Sequence, residues 1–255
     1  MTVNIDSVDV LVWGGGTGGA AAAIQAARGG ATTLLLTPGA WLGGMVSAAG
    51  VCCPDGNELS PWQTGLWGAF LRELEQAEPE GLDQNWVSCF GYRPGTAEII
   101  LQNWLRQESR LLWWPGCQLL NVERAGSLIT GLHVETKGGV HRVKCRVVID
   151  GSDRGDLLPL ADAPFRFGWE PQEQWHEPSA PSQQRLSTEP FFRHQPIQSP
   201  TWVVMGQLQS DQLADHLQRN DQPSGSQLPA PFRGACDTFG LEKTITYGRL
   251  PSGLV

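Results

Sequence analysis

No cluster of basic side chains appears anywhere in this sequence. Lys and Arg together number 18 against 26 Asp and Glu, giving a formal charge of −8. Binding to a phosphate backbone needs grouped cations, so a nucleic-acid partner is excluded. Metal-ligand patterns are missing too. The six cysteines are Cys52, Cys53, Cys89, Cys117, Cys145 and Cys236. They form no C-x-x-C pair, and no histidine stands at ligand spacing from any of them. Cys52 and Cys53 are adjacent, a poor geometry for an ordinary disulfide, so free thiols in a reducing cytoplasm are expected. A membrane-length apolar stretch is also absent, since Ala20–Ala27 contains Gln25 and stops at Arg28. The first residues are polar and acidic, unlike a secretory signal, and no internal repeat is visible. These absences leave a soluble cytoplasmic protein without a membrane, metal or nucleic-acid role. Its 255 residues suffice for one large domain or two smaller ones.

Glycine is abundant, at 31 residues, and proline contributes 18, so turns and long connections are expected. Val8–Trp13 (VDVLVW) is a short apolar run suited to a buried parallel strand. Gly14–Gly19 (GGGTGG) breaks it. Ala20–Arg28 favours helix and ends at Gly29-Gly30. Thr32–Leu36 (TTLLL) reads as a second buried strand, completing a βαβ unit. Helices are predicted over about Pro61–Gln76, with Trp62, Leu66, Phe70 and Leu74 on one face, and over about Thr96–Gln107. From Leu111 the apolar period falls towards two. Strands are expected at Leu111–Trp113, Leu119–Glu123, Ile129–Glu135 and Val140–Val143, with turns at Ala125-Gly126 and Gly138-Gly139. Arg146–Asp150 (RVVID) reads as a further buried strand, so a three-stranded antiparallel excursion returns to a parallel sheet. Beyond Pro164 the chain turns rich in Pro, Gln and Ser. Strands are expected at Thr201–Leu208 and Lys243–Tyr247, with a short helix at Asp211–Gln218.

Gly14, Gly16 and Gly19 match G-x-G-x-x-G between a buried strand and a helix, with Thr17 opening the helix. The first glycine permits a tight turn, the second admits a pyrophosphate to the backbone, and the third allows close helix–strand packing. A helix amino-terminus offers N–H groups and partial positive charge to phosphate. A dinucleotide is therefore expected here. The end of the second strand, where an acid usually meets the adenosine ribose, holds Thr37 followed by Pro38. The Thr37 hydroxyl either bonds the ribose or simply starts a turn. No arginine stands beside it to receive a 2′-phosphate, which disfavours NADP.

The stretch LLLTPGAWLGGMVSAAGV resembles the segment after the second strand in FAD-dependent oxidoreductases of the glutathione-reductase-like superfamily. More narrowly, it resembles a bacterial FAD-dependent oxidoreductase family, some of whose members are labelled xanthan lyases. The resemblance covers Val8 to Glu170 and, more loosely, Ile245–Pro251. It implies FAD as cofactor and places Gly43, Gly44 and Met45 on its flavin side, where glycines let backbone lie against a flat ring. It further implies that backbone near Leu119 touches adenine and that Gly151, in the segment DGSDRGD, lies close to the cofactor. Asp153 and Asp156 in that segment read equally well as helix caps.

The implied fold class is α/β: a Rossmann-like FAD-binding domain with a parallel sheet and an antiparallel β-meander, over residues 1–164, with a helical insertion at about 57–110. Residues 165–255 would be part of a substrate domain. The implied function is hydride transfer between bound flavin and a small-molecule substrate. A catalytically incomplete flavoprotein fragment and an NAD-binding enzyme are the alternatives. Because the family continues well past this length, a missing C-terminal half or a second copy of the chain is the expected partner. His176 and His194 have no carboxylate or nucleophile paired with them, and no catalytic acid or base is assigned. His133 and His141 are expected to be exposed. Trp113, Trp114, Trp169 and Trp175 could stack on a flat substrate, but packing is the favoured reading. Cys52 and Cys53 lack the spacing of a redox dithiol.

Overall fold

A computed structural model describes residues 6–51, 53–54, 64–78, 82–85 and 88–197. The elements expected at Thr201–Leu208, Asp211–Gln218 and Lys243–Tyr247, and the resemblance over Ile245–Pro251, lie outside the described residues. In chain order the elements are β1 (Ser7–Trp13), α1 (Thr17–Arg28), β2 (Thr33–Thr37), a 3-10 turn (Gly44–Val46), α2 (Gly65–Ala77), β3 (Asp83–Asn85), β4 (Ser88–Gly91), α3 (Pro94–Gln107), β5 (Leu111–Pro115), β6 (Gln118–Ala125), β7 (Leu128–Thr136), β8 (Gly139–Asp150), α4 (Leu157–Leu160), α5 (Gln172–Trp175), α6 (Gln183–Thr188) and α7 (Pro190–His194). The described residues fall into two compact units, 6–40 with 105–197 and 41–104.

The first unit is built on a six-stranded sheet of order β5-β2-β1-β8-β7-β6. β5, β2, β1 and the second half of β8 run parallel, whereas β6, β7 and the first half of β8 form an antiparallel meander. The two strands expected at Val140–Val143 and Arg146–Asp150 are one strand. Its register changes partner at Lys144, which pairs with Gly131 of β7 and with Ser7 of β1. The meander's apolar residues Val122, Leu132, Val134 and Val143 cluster with Leu11 and Trp13 of β1 and Leu34 and Leu36 of β2. Side chains alternate across a strand, so Val12 and Leu35, also buried, point the other way. On that face α1 presents Gly19, Ala20, Ala23, Ile24 and Ala27. Small residues there let α1 sit close to β1 and β2.

The second unit contains α2, the β3–β4 hairpin and most of α3. Phe70, Leu71 and Leu74 of α2, Phe90 and Tyr92, and Ala97, Ile100, Leu101 and Trp104 of α3 are buried. Phe70 meets Tyr92 and Trp104 edge to face, at 6.0 and 6.2 Å between ring centroids. The Trp104 Nε1–H donates to Glu73 Oε1 at 2.6 Å, giving a buried indole the partner it needs. α2 begins at Gly65, later than the Pro61 start expected from periodicity, and residues 61–63 lie outside the described residues. The β3–β4 hairpin is an addition to the elements expected from the sequence.

The aromatic residues after Pro164 are less buried than the packing reading expects. Trp169 and Trp175 are 42% and 48% exposed. Trp169 meets Phe192 edge to face at 5.2 Å, and the Arg166 guanidinium lies over the Trp175 ring at 4.3 Å. His133 and His141 are half-buried rather than exposed. His133 Nε2 lies 3.6 Å from Glu123, and the ring of His141 stands 5.2 Å from that of Trp114. Among the described residues, no helix is long and apolar enough to cross a membrane, and no group of His, Cys, Asp and Glu could hold a metal ion.

Candidate cofactor site

β1 ends at Trp13, and Gly14 turns the chain with φ +101°, a left-handed value that favours glycine. Its N–H donates to Leu36 O of β2 at 2.9 Å, so the loop begins against the carboxyl end of the neighbouring strand. Gly16 precedes α1 in an extended conformation, φ −62° and ψ −179°, and the first turn of α1 contains no acidic residue. Thr17 opens the helix and is exposed. On the other side of β1, the Gly151 N–H donates to Trp13 O at 2.7 Å. Gly14, Gly19 and Gly151 then converge. A Cβ on Gly14 would stand 2.5 Å from Gly151 C and O, and one on Gly151 would stand 2.6 Å from Gly19 Cα. A Cβ on Gly19 would collide with Gly14 O. Three backbones meet where no side chain fits.

Gly16 and Gly18 differ from these. A Cβ on Gly16 would find only Asp153 Oδ1 at 3.4 Å and Gly151 O at 3.6 Å, and around Gly18 there is nothing within 4 Å. Neither has a positive φ. The protein's own packing therefore requires glycine at 14, 19 and 151 but not at 16 or 18. The three G-x-G-x-x-G positions separate into the roles their chemistry demands: a turn, an open approach to backbone, and close packing.

The segment after β8 keeps Gly151 in place through a carboxylate that the sequence reading passed over. Asp150 Oδ1 accepts from Ser152 N at 3.0 Å and Ser152 Oγ at 2.6 Å, while Oδ2 accepts from Leu157 N at 2.9 Å. Asp150 thus caps α4, the role considered for Asp153 and Asp156. The Asp156 carboxylate instead accepts from Trp13 Nε1 at 3.1 Å. The sequence signal was present: an Asp followed two residues later by Ser favours an Asx turn. Asp153 is exposed, with its oxygen towards Gly16.

Thr37 ends β2, as expected, and Pro38 after it is exposed. The Thr37 side chain is buried. Its hydroxyl donates to Gly39 O at 2.7 Å and accepts from Trp113 Nε1 at 2.9 Å. With its only proton committed, the hydroxyl holds the turn. Thr37→Glu should therefore destabilise the fold by roughly 3 kcal/mol or more, because it buries a carboxylate and strands the Trp113 donor. Urea unfolding checks this. Unchanged stability would show that the side chain can turn outwards.

Cys117 N donates to Thr37 O at 2.9 Å, which brings the start of β6 beside the end of β2. Leu119, on β6, packs partly against the core. β6 is the last strand of the sheet, so one edge of its backbone has no strand partner among the described residues. Burial pushes the thiols of Cys117 and Cys145 up from the ordinary range, keeping both protonated at neutral pH and unsuited to thiolate redox chemistry.

The remaining expected residues belong to the second unit. Gly43 and Gly44 have φ of +98° and +54°, and Met45 is 63% exposed. A Cβ on Gly43 would lie 2.7 Å from Leu101 Cδ1 and 2.8 Å from Ser47 Oγ. Here too, backbone takes a conformation and a space denied to other residues.

Residues 9–253 match the family described as FAD dependent oxidoreductase. This chain belongs to that family. Its members are FAD-dependent enzymes, and FAD is the cofactor. No curated protein matches the chain. Among solved structures, similarity extends to the myxobacterial chondrochloren halogenase CndH, with 20% identity over 58% of this chain and 37% of that one, at a TM-score of 0.41. It extends also to a geranylgeranyl bacteriochlorophyll reductase-like protein of Thermoplasma acidophilum, with 20% identity over 58% of this chain and 40% of that one, at a TM-score of 0.41. The p-nitrophenol 4-monooxygenase PnpA of Pseudomonas putida DLL-E4 shows 10% identity over 65% of this chain and 46% of its own, at a TM-score of 0.47. The alignments thus span less than half of each of these proteins.

Proposed function

We propose that FAD lies with its pyrophosphate over the backbone of Gly16–Gly18 at the amino end of α1, and that the bound flavin exchanges a hydride with a small-molecule substrate. The observation that carries this reading is the division among the glycines. Packing demands glycine at 14, 19 and 151, yet leaves open space at Gly16 and Gly18 beside a helix start with no acid in its first turn. A phosphate fits that space, since N–H groups and the helix dipole favour an anion there. In the same reading the adenosine end runs past the carboxyl end of β2, at Thr37 and Pro38, towards the backbone of β6 near Leu119. Gly43, Gly44 and Met45 meet the flavin end.

The inward hydroxyl of Thr37 limits its part to shaping the turn, so Pro38 and nearby backbone make the ribose contacts. FAD supplies the two-electron chemistry when bound; the chain supplies binding and orientation. The free thiols of Cys117, which is buried, and Cys145, which is half-buried, support a reducing cytoplasmic setting.

The purified protein, or the protein reconstituted with FAD and desalted, should release a fluorescent flavin when heat-denatured. A supernatant without flavin from either preparation would contradict the proposal.

A further inference from the structure

The second unit contains a carboxylate that its packing alone does not call for. Glu98 lies on α3 and is 5% exposed. Its Oε2 accepts from the Leu42 backbone N–H at 2.6 Å, and its Oε1 accepts from Gln102 Nε2 at 2.5 Å. Burying a carboxylate carries a desolvation penalty that an apolar residue on the same helix face would avoid. What the carboxylate gains is a charge-assisted bond to one peptide of the loop that precedes Gly43.

Leu42 is held at both its backbone N–H and its carbonyl, and the loop is tied again four residues on. The Leu42 carbonyl accepts from Ser47 Oγ, and the Tyr92 hydroxyl donates to Val46 O at 3.1 Å. One turn along α3 from Glu98, Leu101 closes against Gly43, as residues three apart share a helix face. Polar and apolar contacts from one helix thus fix the backbone of Leu42 and Gly43, while the Met45 side chain stays exposed.

We propose that Glu98 is a positioning residue for the flavin end of the cofactor, acting through Leu42 to fix the Gly43-Gly44 backbone. This rests on the reading that Gly43, Gly44 and Met45 face the flavin. It predicts an effect confined to one end of FAD. ADP, which lacks the flavin, reports on the glycine loop and α1 alone.

The test titrates the parent chain, Glu98→Ala and Glu98→Gln with ADP and with FAD, and records the visible circular dichroism of bound flavin. Glu98→Ala should lose about tenfold or more in FAD affinity, the scale of one charge-assisted bond. It should also weaken the flavin dichroism and leave ADP binding unchanged. Glu98→Gln should restore most of the loss, because its amide oxygen can still accept from Leu42 N–H. Glu98→Asp, which draws the carboxylate back by one methylene, carries the same comparison if the alanine variant does not fold. Equal losses for ADP and FAD, no loss for FAD, or a glutamine variant as weak as the alanine one would overturn the proposal. A parent chain that binds ADP and FAD equally tightly would instead overturn the flavin-side reading of the loop.

Discussion

Gly16→Val should lose FAD by at least about a hundredfold, roughly 3 kcal/mol, while the protein folds normally. The two halves of this expectation have different origins. A Cβ at position 16 would meet only Asp153 Oδ1 and Gly151 O, at 3.4 and 3.6 Å, which is ordinary contact. The φ of −62° is open to any residue. The cost to the fold is therefore the poorer helix start, about 1 kcal/mol. The branched side chain would nevertheless stand in the space assigned to the pyrophosphate, and displacing that group forfeits several charge-assisted bonds at once. Far-UV circular dichroism and a thermal melt report the fold, and equilibrium dialysis reports FAD. A valine variant that binds FAD as tightly as the parent would show that phosphate sits elsewhere.

Gly19→Ala should do the reverse and weaken the fold. Helix propensity alone argues for the opposite sign, since alanine is about 1 kcal/mol better than glycine inside a helix. Packing decides against it. The new methyl would run into Gly14 O, a backbone atom held by a turn, with Gly151 Cα at 3.5 Å behind it. Relief would require α1 to lift from β1, opening the Ala20, Ala23 and Ile24 contact along its length. Overpacking typically costs about 1–3 kcal/mol and more where backbone must move, so a net loss near 3 kcal/mol is expected. That is a large share of the roughly 5–15 kcal/mol total of a small domain. Gly18→Ala, one residue earlier in open space, should by contrast hold or slightly raise stability. Urea denaturation of the two alanine variants measures the difference, and a Gly19→Ala protein more stable than the parent would refute the close approach of Gly14, Gly19 and Gly151.

These two substitutions mark what was legible in the sequence. The βαβ unit and the glycine loop could be read because their signals are local: a valine-rich run, glycines at fixed spacing, an alanine-rich helix and a second apolar run. Gly43-Gly44 and Gly151 carry no such local signal, and only the family resemblance singles them out as candidates. β8 reads as two strands in the sequence because its covering changes at Lys144, where the antiparallel partner β7 gives way to the parallel partner β1. A change of environment along one strand looks, in sequence, like a change of strand.

The side-chain details were hidden for a different reason. The inward turn of Thr37 depends on Trp113, 76 residues away, and the burial of Glu98 depends on Leu42, 56 residues before it. Nothing near Glu98 distinguishes it from a surface acid on an amphipathic helix. Long-range polar partners leave no periodic trace, whereas the glycines leave one because backbone geometry acts over a few residues.

Calorimetric titration of the cofactor-free protein with FAD, repeated with NAD, addresses the central claim most directly. FAD should bind in a saturable titration that Gly16→Val abolishes, and NAD should give no comparable heat. Saturable NAD binding with none for FAD would contradict the account.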